Sequence, residues 1–254
     1  MRFRSLVVFP GVLAIAFLIA GGLAGDALGT VLAAEAETAK VLALAGSVAG
    51  ALAFDRRDYL RRAWLFSGLC YLLLLVRDAL TLGSSAMATV GVVGGIVVVA
   101  NAASVAGTWM LAHAWRLAGI EEDDQARARG RLLFVGGAVL ALAVTGFPFI
   151  RDLRALVAGD VTAIVDVASD LGDTICLALV APVLQTALAM RGGVLRWPWG
   201  LLTASGVVWI AYDATSSIVV HMPWLVIAEA SRGLACALVL SAGIAQRMVV
   251  SPRE

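Results

Sequence analysis

Apolar residues run through this chain in eight long stretches, at approximately 5–24, 38–54, 63–83, 89–115, 131–149, 161–190, 198–219 and 223–248. A helix that spans a bilayer needs about 20 mostly apolar residues. The second stretch reaches that length only if it continues to Tyr59, and the sixth carries acids in its first half. The pattern predicts an all-α, polytopic membrane bundle of about eight transmembrane helices. Pro10, Gly94, Gly95 and Pro182 fall inside the stretches, where membrane helices tolerate them.

The stretches look duplicated. Arg61, Trp64 and Asp78 in the third recur 135 residues later as Arg196, Trp199 and Asp213 in the seventh. Asn101, Ser104 and Thr108 in the fourth parallel Glu229, Arg232 and Cys236 in the eighth, at an offset of 128. A Leu-Ala string shared by the first and fifth is too common here to add weight. The expected organisation is a four-helix repeat over 1–118, a charged cytoplasmic linker over 119–130 and a second four-helix repeat over 131–254. Four helices per unit insert both copies in one orientation, which makes the repeat parallel. Arg2 and Arg4 ahead of an apolar run ending in Ala20-Gly21-Gly22 resemble a signal peptide. The fifth stretch, as counterpart of the first, argues that the first is retained as a helix.

Composition agrees with a bilayer setting. The chain is 61% hydrophobic and 15% charged, against about half and a quarter in a soluble domain; its mean hydropathy is +0.94. The net charge of +1 says nothing of partners, and no basic run suits nucleic acid. The distribution says more. With eight spans, fourteen of the 19 basic residues fall on the side of both termini. Lys40, Arg151 and Arg154 fall on the other side, and Arg77 and Arg232 inside the spans. The positive-inside rule then places both termini in the cytoplasm, with the chain in the cell or inner membrane.

Several chemistries drop out. Lys40, the one lysine, sits at the start of the second stretch, too shallow to carry retinal as a Schiff base. His113 and His221 lie near opposite helix ends, which argues against a bis-histidine haem. Cys70, Cys176 and Cys236 form no CxxC and read as packing residues. There is no phosphate loop, H-E-x-x-H or G-x-S-x-G. No cofactor and no metal site are expected. The run Glu121–Asp124 with Arg127, Arg129 and Arg131 reads as a solvated loop.

What remains is charge at membrane depth. Asp78, Asp166, Asp170, Asp173, Asp213 and Glu229 lie inside apolar stretches with Arg77 and Arg232. Each charge at the bilayer centre costs roughly 2.5–3.5 kcal/mol on insertion scales. Trp64, Gly68, Tyr71, Leu75 and Asp78 share one helical face, as do Trp199, Thr203, Gly206, Ile210 and Asp213. The tryptophans read as interfacial anchors. Asp166, Asp170 and Asp173 share a face of the sixth helix, with Asp166 nearest water. Glu229 and Arg232, three apart, can pair with each other. Arg77 and Asp78 are neighbours and are expected to point apart. Acids outnumber arginines by four, which calls for protonated carboxyls, a watered cavity or a bound cation. The candidate ligand- or ion-binding residues are Asp78, Asp170, Asp173, Asp213, Glu229, Arg232 and Asn101.

Three function classes fit, in this order. The first is a small transporter or channel for protons, cations or organic amines. The second is a membrane sensor or assembly subunit whose acid–arginine network is structural or pH-responsive. The third is an intramembrane enzyme using paired aspartates. The partners expected are the lipid bilayer, a small cation or amine, and a second copy or another membrane protein. The topology is testable: a C-terminal reporter that is active only outside the cytoplasm should stay silent, and activity from it would overturn the eight-span reading.

Overall fold

The computed structural model describes residues 3–82, 90–117, 124–189, 193–194, 196–218 and 222–250. Its long helices are α1 (Phe3–Leu23), α2 (Leu28–Ala51), α3 (Tyr59–Leu82), α4 (Val90–Leu117), α5 (Asp124–Val157), α6 (Ile164–Ala189), α7 (Arg196–Ile218) and α8 (Met222–Val250). No strand occurs among the described residues, so the protein is all-α. Among the described residues four segments, Phe3–Leu23, Tyr59–Thr81, Gly91–Ala114 and Pro223–Val250, are long and apolar enough to cross a membrane. Outward faces are apolar as well: Val8, Val12, Ile15 and Ile19 on α1, and Leu132, Val135 and Val139 on α5, are exposed. Contiguous apolar surface of this kind is a liability in water and suits lipid.

Two helix starts differ from the sequence expectation. α2 begins at Leu28 rather than near 38. Gly25, at φ +50, opens a 3-10 turn over Gly25–Ala27 that leads straight from α1 into α2. Glycine adopts that conformation without a Cβ penalty. Glu35, Glu37 and Lys40 lower the apolar signal of this stretch and hid its first turns. α5 begins at Asp124, so the second half of the expected linker is helical, with Asp124 and Arg127 paired at 2.9 Å one turn apart. Residues 119–123 of that linker, like His221, lie outside the described residues.

A second turn of the same kind joins α5 to α6. Gly159, at φ +100, precedes a 3-10 turn over Val161–Ala163. Asp160 accepts hydrogen bonds from the Thr162 hydroxyl (2.6 Å) and the Thr162 backbone N–H (3.0 Å). Those bonds hold the Asp160 carboxyl below its ordinary range.

Six helices close a ring in the order α2, α3, α4, α6, α7, α8 and back to α2. α1 packs outside the ring on α8, and α5 outside it on α6. One pole of the ring is filled by an apolar plug that includes Leu6, Ala51, Trp64, Leu111, Trp199 and Ala245. These residues come from the starts of α1, α3 and α7 and from the ends of α2, α4 and α8. Those helices therefore alternate in direction, and the start of α1 lies at the same pole as the end of α8. Trp64 is 1% exposed and Trp199 5%. Neither is the interfacial anchor expected from its position. The hole where six helix ends meet needs large side chains to fill it, and the two indoles do so.

The seam between α2 and α8 is made of small residues. Ala39, Ala43 and Ala242 are fully buried, and a Cβ on Gly243 would overlap the Gly46 carbonyl. Apolar helices gain little from burial in lipid, so close backbone approach must supply the packing. Gly243→Ala should therefore lower the melting temperature of the detergent-solubilised protein, with a loss of roughly 1–3 kcal/mol from overpacking. Gly136→Ala, where the added Cβ meets nothing within 4 Å, should be neutral. Equal melting temperatures for the two variants would contradict the seam.

Candidate functional site

The ring surrounds a cavity of about 510 Å³. α3 contributes Ser67, Cys70, Tyr71, Leu74 and Arg77; α4 contributes Val97, Asn101, Ser104, Thr108 and Leu111. α7 lines it with Leu202, Ser205, Gly206, Trp209, Tyr212 and Asp213. Every α3 lining position has an α7 lining position 135 residues later, from Ser67 with Leu202 to Arg77 with Tyr212. Lys40 enters from α2, Asp170 and Asp173 from α6, and Arg232 from α8. The floor is Leu111 and Leu202, which belong to or pack on the plug. The rim carries Arg151, Asp152 and Asp166, of which Arg151 and Asp166 are exposed. The cavity is thus reached from the pole opposite the plug.

The cavity face of α3 is one residue earlier than the sequence suggested. The face through Trp64, Gly68 and Asp78 turns toward α2, where Gly68 packs against Ser47. Arg77 therefore lines the cavity, and Asp78 stands behind it. The two neighbours do not point apart: Arg77 Nε donates to Asp78 Oδ1 at 2.6 Å. A long guanidinium side chain can fold back on an adjacent carboxylate, which the reasoning from helical angle alone overlooked.

Lys40 is the largest correction. It lies twelve residues after the start of α2 and is 3% exposed, not shallow. The depth argument against a lysine-bound chromophore therefore falls. Its ammonium donates to Glu37 at 2.5 Å and to Asp78. Asp78 thus joins Lys40 on one side and Arg77 on the other. Arg232 donates to Glu229 and sits over the Tyr212 ring, with 5.5 Å from its guanidinium carbon to the ring centroid. On this arc, formed by α2, α3 and α8, three cations meet Glu37, Asp78 and Glu229. Glu35, buried on α2, adds a fourth acid to this arc.

The opposite arc is different. Asp173 on α6 and Asp213 on α7 face each other across this wall. Two carboxyls held close together are best accommodated when they share a proton. Asp170, 8% exposed, lines the same wall, and its Oδ2 has no hydrogen-bond partner among the described residues. Nearby, Asn101 Nδ2 donates to Ser169 Oγ at 3.1 Å and bridges α4 to α6. Of the seven candidates, Asp170, Asp173, Asp213, Asn101 and Arg232 line the cavity. Asp78 and Glu229 stand one layer behind, holding the cations that do.

Sequence reasoning missed Lys40, Glu37 and Glu35. Glu35 is 6% exposed, and neither of its carboxyl oxygens has a partner among the described residues. The signal was the string Glu35-Ala36-Glu37-Thr38-Ala39-Lys40, whose three-residue spacing from Glu37 to Lys40 suits an ion pair within a helix. Comparison with protein-family models, with curated proteins and with solved structures finds no match to this chain.

The ionic layer makes a stability prediction. Arg232→Ala strands Glu229 in a buried setting and should cost about 3–5 kcal/mol. Adding Glu229→Gln should recover part of that loss, because the stranded charge is gone. A double variant no more stable than Arg232→Ala in thermal unfolding would show that the pair is not the cause.

Proposed function

We propose that the chain is an eight-span membrane protein of two parallel four-helix repeats with cytoplasmic termini, and that its cavity binds a small organic cation and carries it across the membrane. Length supports eight spans. The shortest helix, α1, has 21 residues, about 31 Å at 1.5 Å per residue, against a hydrocarbon core of about 30 Å. The repeat is supported by the shared lining register of α3 and α7 and by the convergence of Trp64 and Trp199 in one plug. A positive-φ glycine and a 3-10 turn also precede both α2 and α6. The succession α2–α3–α4 is answered by α6–α7–α8, and the contact of α2 with α8 by that of α6 with α4. α1 and α5 depart from the symmetry, since α5 packs on α6 where α4 is the counterpart of α8.

The observation that carries the functional reading is the imbalance of the two arcs. On the α2–α3–α8 arc three cations stand against Glu37, Asp78 and Glu229, with Glu35 buried beside them, whereas the α6–α7 side of the cavity lining sets Asp170, Asp173 and Asp213 against no lysine or arginine of its own helices. The cavity's volume suits a small molecule better than a bare ion. Among the described residues no three His, Cys, Asp or Glu side chains are grouped to hold a metal ion. An ammonium needs less: two carboxyls and neutral acceptors.

Binding should also exchange a proton. When an ammonium donates to Asp173 and Asp213, the proton between them is no longer needed and leaves for solvent. Affinity should then rise with pH, by about tenfold per unit while one proton is released per cation. The charged and titratable groups facing the pair are Asp166, Asp170 and Cys176 on α6, Arg151 and Asp152 on α5, and Tyr212 on α7. Across the cavity stand Arg232 on α8, Lys40 on α2, and Cys70, Tyr71 and Arg77 on α3.

The carboxyl pair also favours a second reading, an intramembrane hydrolase in which one carboxyl acts as base and the other as acid. Asp213→Asn would disable either activity, so binding separates them. The purified protein should bind ethylammonium more tightly at pH 8 than at pH 6, and proteoliposomes should take it up in exchange for protons. Asp213→Asn should abolish both while leaving membrane insertion intact. Ethylammonium binding that is absent, or unchanged between the two pH values, would sink the cation reading.

A further inference from the structure

We infer that Lys40 is a built-in copy of the ligand: its ammonium fills, in the first half of the ring, the place that a primary ammonium takes between Asp170 and Asp213 in the second. The inference rests on the reading of the cavity as a cation site. Asp78 and Asp213 stand at matching positions of α3 and α7, 135 residues apart. Each meets a residue of the preceding ring helix. For Asp78 that residue is Lys40 on α2; for Asp213 it is Asp173 on α6. These two are 133 residues apart.

The same offset of 133 aligns two further positions. Glu37, the second acid holding the Lys40 ammonium, falls on Asp170. Ala39, buried in a cluster with Ala230 of α8, falls on Gly172, which packs against Asn101 of α4. α8 and α4 are themselves counterparts in the ring. So the frame Glu37–Lys40–Asp78 recurs as Asp170–Asp173–Asp213, with both flanking acids kept and the cation between them replaced by a carboxyl.

The first frame is complete: the ammonium donates to an acid three residues earlier on its own helix and to an acid on the next helix. The second frame keeps the flanking acids, and its Asp170 has an acceptor to spare. Asp170 Oδ2 faces the cavity buried and without a partner among the described residues. A primary ammonium brings three N–H donors, which match Asp170, Asp213 and the added carboxyl of Asp173. A quaternary ammonium brings charge and no donors. The ligand class is therefore a primary amine in its protonated form, bound once per chain, because the equivalent place in the first half is taken by Lys40.

Two substitutions test the equivalence, with ethylammonium and tetraethylammonium as probes on the purified full chain. Asp173→Lys turns the second frame into the first. It should fold, melt close to the parent and lose ethylammonium binding. Lys40→Asp turns the first frame into the second and should raise the number of ethylammonium sites from one to two. Tetraethylammonium should bind neither the parent nor Lys40→Asp. If the parent binds no ethylammonium, the cation reading itself fails. If the parent binds it and Asp173→Lys still does, or Lys40→Asp gains no second site, the cation reading stands and the ligand-copy inference is wrong. An Asp173→Lys protein that cannot fold counts against the inference as well, since the pair it introduces is one the first half already accommodates.

Discussion

The structure depends on one constraint: charge inside a bundle of apolar helices must be matched at close range, because neither lipid nor packed side chains will solvate it. The α2–α3–α8 arc meets it with a chain of alternating signs. Glu37, Lys40, Asp78 and Arg77 join in one run, and Glu229 and Arg232 in another. Together these pairs tie α2 to α3 and brace α8, with Glu35 buried outside them. The α6–α7 wall cannot meet the constraint in the same way, since it has no cation of its own. Asp173 and Asp213 instead face each other, and Asp166 lies exposed at the mouth. The polar half of the molecule thus has one arc knitted by ion pairs and one where acids face one another.

That contrast gives the two halves different roles. A complete ion network resists change, because any displacement exposes a charge. A proton shared by two carboxyls is cheap to replace, because any donor that reaches both will serve. The ring would then have a rigid scaffold on one side and, on the proposed reading, an exchangeable site on the other. The apolar plug fits this division. It closes the cavity at the pole where the charged layer is absent, so the acids are reached from one end only.

Much of the architecture was legible in the sequence, and the failures share a cause. The starts and ends of α3, α4, α7 and α8 follow the apolar runs to within a few residues, because those helices keep their charges few. α2 was misplaced because Glu35, Glu37 and Lys40 made its first turns look polar. Hydropathy adds residues one at a time and cannot see that Lys40 cancels Glu37 and Asp78. Trp64 and Trp199 were assigned to the interface because their depth is right for it. Whether an indole points to lipid or to a central hole depends on how many helices surround that hole, which periodicity does not report. The carboxyl pair joins Asp173 with Asp213 rather than Asp78 with Asp213, because Lys40 claims Asp78 first. All eight acids and cations of these pairings could be read from the chain; their partners could not.

The two joints between the halves of the ring differ in a way that bears on movement. At α2–α8 the contact is backbone against backbone, through Gly46, Gly243 and a row of fully buried alanines. Such a seam tolerates rotation poorly, since any slide brings main-chain atoms into overlap. At α4–α6 the contact runs through the cavity wall, with Asn101 donating to Ser169 and Ser104 meeting Cys176 at 3.7 Å. Amide and hydroxyl groups that already border a watered space can exchange one partner for water at a net cost of about 1 kcal/mol each. If the bundle moves a ligand past the plug, the α2–α8 seam is the side that stays fixed and the α4–α6 joint the side that parts. The acids beside that joint are then the ones whose surroundings change between the two states. A cation held there is held in one state and released in the other without any change in the ionic scaffold across the cavity.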